Sequence, residues 1–223
     1  MAQRRMTENR WSIRWDEAKA KAAYAAGWWQ KETIADSLRR AARDTPDRVL
    51  LVDGDAALTA ADLHREASTL AHILVGRYPA GSVVSFMLPN WHEAAIIYLA
   101  STMANMVANP ILPSLRHHDL RFILSDVATR IIFAPRTFRG SDYHAMLQQV
   151  TSEMADAPDV ILVRAGENEA LEGAASFAAL MGESASATLP SIDADEVRMV
   201  MYTSGTTGRP KGVLHTHNSI HAL

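Results

Sequence analysis

What most constrains this chain is a set of short apolar runs, each followed by a stretch with helical spacing. Val83-Val84-Ser85-Phe86-Met87-Leu88 does not alternate sides, so it reads as a strand buried on both faces. Such a strand needs helices above and below its sheet. Further strands are expected at 49–52, 57–58, 107–109, 130–133, 160–163 and Val197–Thr203. Between them, Ile34, Leu38 and Ala41 share one helical face; Leu63, Leu70 and Leu74 share a second, and Leu120, Ile123 and Leu124 a third. Thr59 with Asp62 forms a capping-box start, Ser141 is expected to cap a helix reaching 154, and a short helix is expected at 177–181. The alternation predicts an α/β fold: largely parallel sheets covered by helices. Ligands of such sheets sit at the carboxyl ends of strands, which directs attention to the loop after Thr203.

Composition narrows the function classes. The 223 residues, 48% hydrophobic and 21% charged, can bury a core and are not those of a disordered chain. A formal net charge of −3 offers no general attraction to nucleic acid. The absence of cysteine removes disulfides, thiolate zinc sites and thiol nucleophiles, and fits a cytoplasmic home. Behind the basic start MAQRRMTENRW there is no apolar stretch of a secretory signal. Residues 94–115 carry no formal charge, but Asn105, Asn109, Pro110, Pro113 and Ser114 interrupt them. They read as a buried helix running into a strand and loop, not as a membrane span. Residues 1–30 hold Trp11, Trp15, Trp28 and Trp29, and form a separate arm whose rings are expected to pack across the body, residues 31–223.

The passage after the last apolar strand carries the chemistry: Thr203-Ser204-Gly205-Thr206-Thr207-Gly208-Arg209-Pro210-Lys211-Gly212. Its glycines let backbone amides approach an anion. Its hydroxyls can donate to phosphate oxygens or ligate magnesium, and Lys211 supplies a point charge. Every element suits a polyphosphate. It is not a Walker A loop, because Pro210 precedes the lysine and Gly212 follows it.

The string YTSGTTGRPKGV closely resembles the signature loop of the adenylate-forming superfamily: acyl-CoA synthetases, aryl-acid AMP ligases, peptide-synthetase adenylation domains and luciferases. LTAADLHREASTLAHIL, GSVVSFMLPNWHEA and NPILPSLRHHDLRFILSDVATRIIF resemble earlier family segments in the same order, so the likeness spans residues 30–223. Asn105 stands where many relatives carry glycine, a mild change because asparagine tolerates left-handed backbone geometry. The resemblance implies the N-terminal part of a large AMP-binding domain, with the C-terminal domain expected beyond the last residues here. It implies ATP-dependent formation of an acyl-adenylate from a small carboxylic acid, then transfer to coenzyme A. NPILPSLR tilts the acid toward a cyclic or aromatic one.

By the same likeness, Ser204, Gly205, Thr206, Thr207, Gly208 and Lys211 hold the nucleotide's phosphates, with Lys211 the residue assigned to catalysis. Thr203 is the magnesium ligand, and His217 supports the nucleotide or acyl pocket. The alternatives are a ligase that loads a carrier protein, or a non-catalytic nucleotide-binding segment. A homodimer is compatible with all three, and the 223 residues alone are expected not to make acyl-CoA. His215 and His217, with His221 four residues on, mimic a metal spacing on a strand. Without Cys, Asp or Glu nearby, a zinc site is disfavoured. Arg116, His117 and His118 read as a solvated helix start, and Arg39, Arg40 and Arg43 as a charged helix face.

Overall fold

The protein is described by a computed structural model at residues 3–7, 10–166, 169, 171–203 and 209–221. The arm opens with a hairpin, β1 (Gln3–Met6) and β2 (Ser12–Trp15), and continues into α1 (Glu17–Ala25), capped by Asp16. Two helices start from full capping boxes: α2 (Ile34–Asp44) from Thr33 and Asp36, and α3 (Ala60–Arg77) from Thr59 and Asp62. Between them, β3 (Val49–Asp53) and β4 (Ala56–Thr59) form a small antiparallel ribbon. Then the alternation settles in: β5 (Val83–Phe86), α4 (His92–Met103), β6 (Val107–Pro110), α5 (His117–Asp126) and β7 (Thr129–Pro135). A short ribbon, β8 (Thr137–Phe138) with β9 (Ser141–Asp142), leads to α6 (Tyr143–Ser152) and β10 (Asp159–Val163). The remainder is β11 (Ala175–Ser176), α7 (Phe177–Met181), β12 (Val197–Thr203), β13 (Lys211–Thr216) and α8 (His217–His221).

Seven strands make the main sheet in the order β11-β10-β7-β5-β6-β12-β13. All neighbours run parallel except β12 and β13, which form an antiparallel hairpin. All four residues of central β5 are buried, as its unbroken apolar run requires. One face is covered by Leu70 and Leu74 of α3 with Ile96 and Ile97 of α4; the other by Leu120 and Leu124 of α5 with Leu147 of α6. Each such side chain contributes about 1.5–3 kcal/mol by leaving water. A polar seam crosses the sheet interior: Asn109 donates to Ser85 Oγ at 2.9 Å, and Ser85 and Thr129 share a hydrogen bond of 2.9 Å. A one-residue slip would strand these groups in an apolar core, so the seam helps fix register. Asn105 takes φ +52°, the left-handed geometry its side chain tolerates.

Several local expectations are corrected. Asp142, not Ser141, caps α6; its carboxylate accepts from Ala145 N at 3.0 Å, and the helix begins at Tyr143, one residue past the expected start. Within the stretch 165–195, β11, which is not among the expected strands, extends the sheet beside β10. His215 lies on β13 but His217 begins α8, so the two rings do not share a strand face. Among the described residues no helix is long and apolar enough to cross a membrane, and α4 is a buried core helix.

The arm does pack across the body. Trp11 and Trp15 lie against a cluster of Ile13, Val83, Val107, Val197 and Val200, and Trp11 Nε1 donates to Gly81 O at 3.0 Å. Trp29 stacks near Trp15 and meets Tyr24 edge-on, whereas Trp28 is exposed.

Candidate active site

A cavity of about 640 Å3 opens at the carboxyl ends of β5, β6 and β12, the edge where parallel sheets present ligands. Three junctions build it. The β5–α4 turn contributes Leu88, Pro89 and Asn90; the β6–α5 loop contributes Ile111, Leu112, Pro113 and Leu115; β12 contributes Met201, Tyr202 and Thr203. Most of the lining is apolar, and among the described residues it contains no Lys, Arg or His; Asn90, Asp119, Tyr202 and Thr203 are its polar or ionisable described members.

The β12–β13 hairpin stands over this mouth. Thr203 is the cross-strand partner of Lys211, both exposed, and Thr203 and Pro210 themselves line the cavity. The ladder therefore sets a hydroxyl and an ammonium-bearing chain side by side at the lip. Ser204, Gly205, Thr206, Thr207 and Gly208 lie outside the described residues. His217 is buried at the other end of the same ladder, where Thr216 pairs with Val197, six residues or about 20 Å from Thr203. Thr203 and Lys211 thus meet, and His217 does not join them.

Gly212 has a packing reason that the motif alone did not reveal. It pairs with Tyr202, and a Cβ there would lie 3.1 Å from Val200 Cγ2 and 3.3 Å from the Tyr202 ring. The Tyr202 hydroxyl donates to Asp126, and its ring meets Phe122 edge-on at 6.4 Å. Burial, then the Asp126 carboxylate, holds the phenol protonated well above its ordinary range.

The β5–α4 wall is held differently. Trp91, the N-cap of α4, offers no side-chain acceptor. The missing cap comes from the β3 end: Asp53 Oδ2 accepts from His92 N and pairs with His92 Nδ1, each at 3.0 Å. That backbone donor, with Arg164 and the His92 ring, holds Asp53 below the usual carboxylate range despite desolvation. Arg164 also grips buried Glu93 with two bonds, Nε–Oε1 at 2.8 Å and Nη2–Oε2 at 2.9 Å. Asp53, His92 and Glu93 are the one metal-like cluster among the described residues. The guanidinium already supplies the cation there, so the cluster does not fit a metal ion.

Below the sheet, Asn218 is wholly buried, and its network links the arm to α8. Its amide donates to Asp195 Oδ1 and to Tyr24 Oη at 2.9 and 2.8 Å, its carbonyl accepts from Gln30 N at 2.8 Å, and Tyr24 donates to Asp195. Asn218 is not the cap of α8; Thr216 Oγ1 accepts from Ser219 N instead. Elsewhere Arg39, Arg40 and Arg43 are exposed and paired with Asp36, Glu32 and Asp44, and His117 and His118 face solvent, as a charged face and a solvated helix start should.

A family profile described as AMP-binding enzyme matches residues 38–223. The chain is 29% identical over 212 residues to a medium-chain fatty-acid–CoA ligase of Escherichia coli, covering 94% of this chain and 37% of that protein. It is 26% identical to a 2-hydroxy-7-methoxy-5-methyl-1-naphthoate–CoA ligase of Streptomyces carzinostaticus, covering 93% and 38%. Its fold superimposes on apo MbtA of Mycobacterium smegmatis with a TM-score of 0.80 at 25% identity, covering 92% of this chain and 37% of that one. The chain therefore spans well under half the length of these relatives.

Proposed function

Because the chain belongs to the AMP-binding enzyme family, we propose that it carries the phosphate grip of an ATP-dependent acid–CoA ligase. The observation that carries this reading is the pairing of Thr203 with Lys211 at the lip of the cavity. In the reaction, a carboxylate oxygen attacks the α-phosphorus of ATP, the bond to the β-phosphate bridge breaks, and pyrophosphate leaves. A thiol, that of coenzyme A, then takes the acyl group and AMP departs. The first step needs alignment and charge neutralisation more than a protein nucleophile.

Lys211 and the hydroxyl-rich residues Ser204, Thr206 and Thr207, with the amides of Gly205 and Gly208, are assigned to the phosphates. Magnesium, when bound, would offset the charge of the phosphates; the Thr203 hydroxyl, a neutral oxygen donor at the lip, would suit such a hard cation. His217 is kept as an interior support at the far end of the hairpin rather than as a phosphate ligand.

The substrate is assigned as a cyclic or aromatic carboxylic acid. Pro110, Ile111, Leu112, Pro113 and Leu115 give the cavity a stiff apolar side, and among the described residues no lining cation competes for the substrate carboxylate. The naphthoate–CoA ligase likeness supports the same class. We keep residues 1–30 as an arm and 31–223 as the family's portion, in a cytoplasmic protein. The 223 residues taken alone are expected to form no acyl-CoA. Acid-dependent exchange of labelled pyrophosphate into ATP, run over aromatic, alicyclic and straight-chain acids, tests the reading. Replacing coenzyme A by a carrier protein in the second step identifies the acceptor. A preference for straight-chain acids would overturn the substrate class, and no exchange with any acid would overturn the function.

A further inference from the structure

We infer that Arg164 is a positioning residue for the acid's cavity, acting through Glu93 and Asp53 on the wall at Leu88, Pro89 and Asn90; this rests on the reading of that cavity given above. Arg164 follows β10 with φ +57°, a backbone state that long L side chains rarely adopt. Non-glycine residues persist there when their surroundings over-determine them, and here they do. The guanidinium takes both oxygens of Glu93, reaches Asp53 Oδ2 at 2.5 Å, and lies 3.9 Å over the Trp91 ring. Trp91 is closed on another side by Phe138, edge-on at 5.8 Å.

These partners come from the β3 end and the start of α4, so Arg164, at the end of β10, joins three segments distant in sequence. The tie bears directly on the wall. Glu93 lies between cavity residues Asn90 and Ala94, and its carboxylate is buried, so without the guanidinium it would be left an unpaired buried charge. Asp53 supplies the helix cap that Trp91 lacks, and the same guanidinium holds Asp53. Within the turn the main-chain bonds are short and local, Trp91 N to Pro89 O at 2.7 Å and Ala94 N to Trp91 O at 3.1 Å, while Met87 N to Phe133 O at 2.8 Å anchors its start to the sheet. Arg164 does not line the cavity, so its influence on a substrate passes through the wall.

Arg164→Lys keeps the charge and removes the fork; Arg164→Met removes both. In the full-length protein carrying this segment, Arg164→Lys is expected to raise KM for the acid about tenfold while kcat and KM for ATP change less than about twofold. Amide exchange at residues 91–94 should accelerate in step, with Val83–Phe86 unchanged. Arg164→Met should show the same pattern more strongly, and if it does not fold, Arg164→Lys alone decides. An unchanged KM for the acid, or equal changes in both KM values and kcat, would overturn the assignment. Should the wild type exchange pyrophosphate with no acid, the function reading fails separately. Protection at 91–94 then decides the positioning role: lost in Arg164→Lys it stands, retained it falls.

Discussion

Two walls of one cavity are built on opposite physical plans. The β12 side is held by a main-chain ladder, with the apolar arm packed against it and an amide hub at Asn218 that donates to the Asp195 carboxylate. The β5–α4 side is held by charge: a carboxylate borrowed as a helix cap and a guanidinium on two acids. A ladder leaves its cross-strand side chains free for a ligand, and at the lip those are Thr203 and Lys211. A charge network uses its side chains up. Function should therefore be lost without stability at the first wall, and stability should fall along with function at the second.

The largest expected effect tests the ladder side. Lys211→Ala should slow acid-dependent pyrophosphate exchange about a hundredfold with little change in thermal midpoint. An unchanged rate would remove Lys211 from the phosphate site. Next, Arg164→Met should destabilise the fold by about 2 kcal/mol, less than a fully buried pair would because 39% of the arginine side chain is exposed. Urea denaturation measures this, and a loss as small as that of Lys211→Ala would erase the distinction between the walls.

Smaller effects sharpen it. Tyr24→Phe removes one donor from the Asn218 hub and should cost about 1 kcal/mol by the same titration. A null result would mean that the Tyr24 hydroxyl does not anchor α8, leaving Gln30 N on the Asn218 carbonyl as the link. Acid sensitivity should mark the charged wall. The folded carboxyl of Asp53 is lowered, so its contribution is full above about pH 4, the unfolded value, and fades as pH falls through the folded value. Asp62, lowered to about 2 chiefly by the Thr59 hydroxyl, follows the same sign at the start of α3. In Asp53→Asn the slope of stability below about pH 4 should flatten, and an unaltered slope would show that Asp53 does not carry it.

The same contrast explains what could be read from the residues alone. Elements governed by neighbours in sequence were legible: the Thr59–Asp62 capping box, the buried run of β5 and the left-handed Asn105. Asp142 displaced Ser141 as a cap because α6 begins at Tyr143, which makes Asp142 the residue immediately before it. The Asp53–Glu93–Arg164 knot was not legible, since its members are distant in sequence and Asp53 looked like an ordinary turn residue. A cue did exist: a helix starting at Trp91 has no cap of its own, so a carboxylate had to come from elsewhere. The place of His217 was also hidden, because only the antiparallel turn of β13 carries it away from Thr203.

The most direct test of the central claim is pyrophosphate exchange into ATP by the full-length protein, with and without each acid of the panel. Exchange that requires an acid, strongest with a cyclic or aromatic one, is the predicted result. Exchange with no acid at all would contradict the claim that this hairpin and cavity activate a carboxylate.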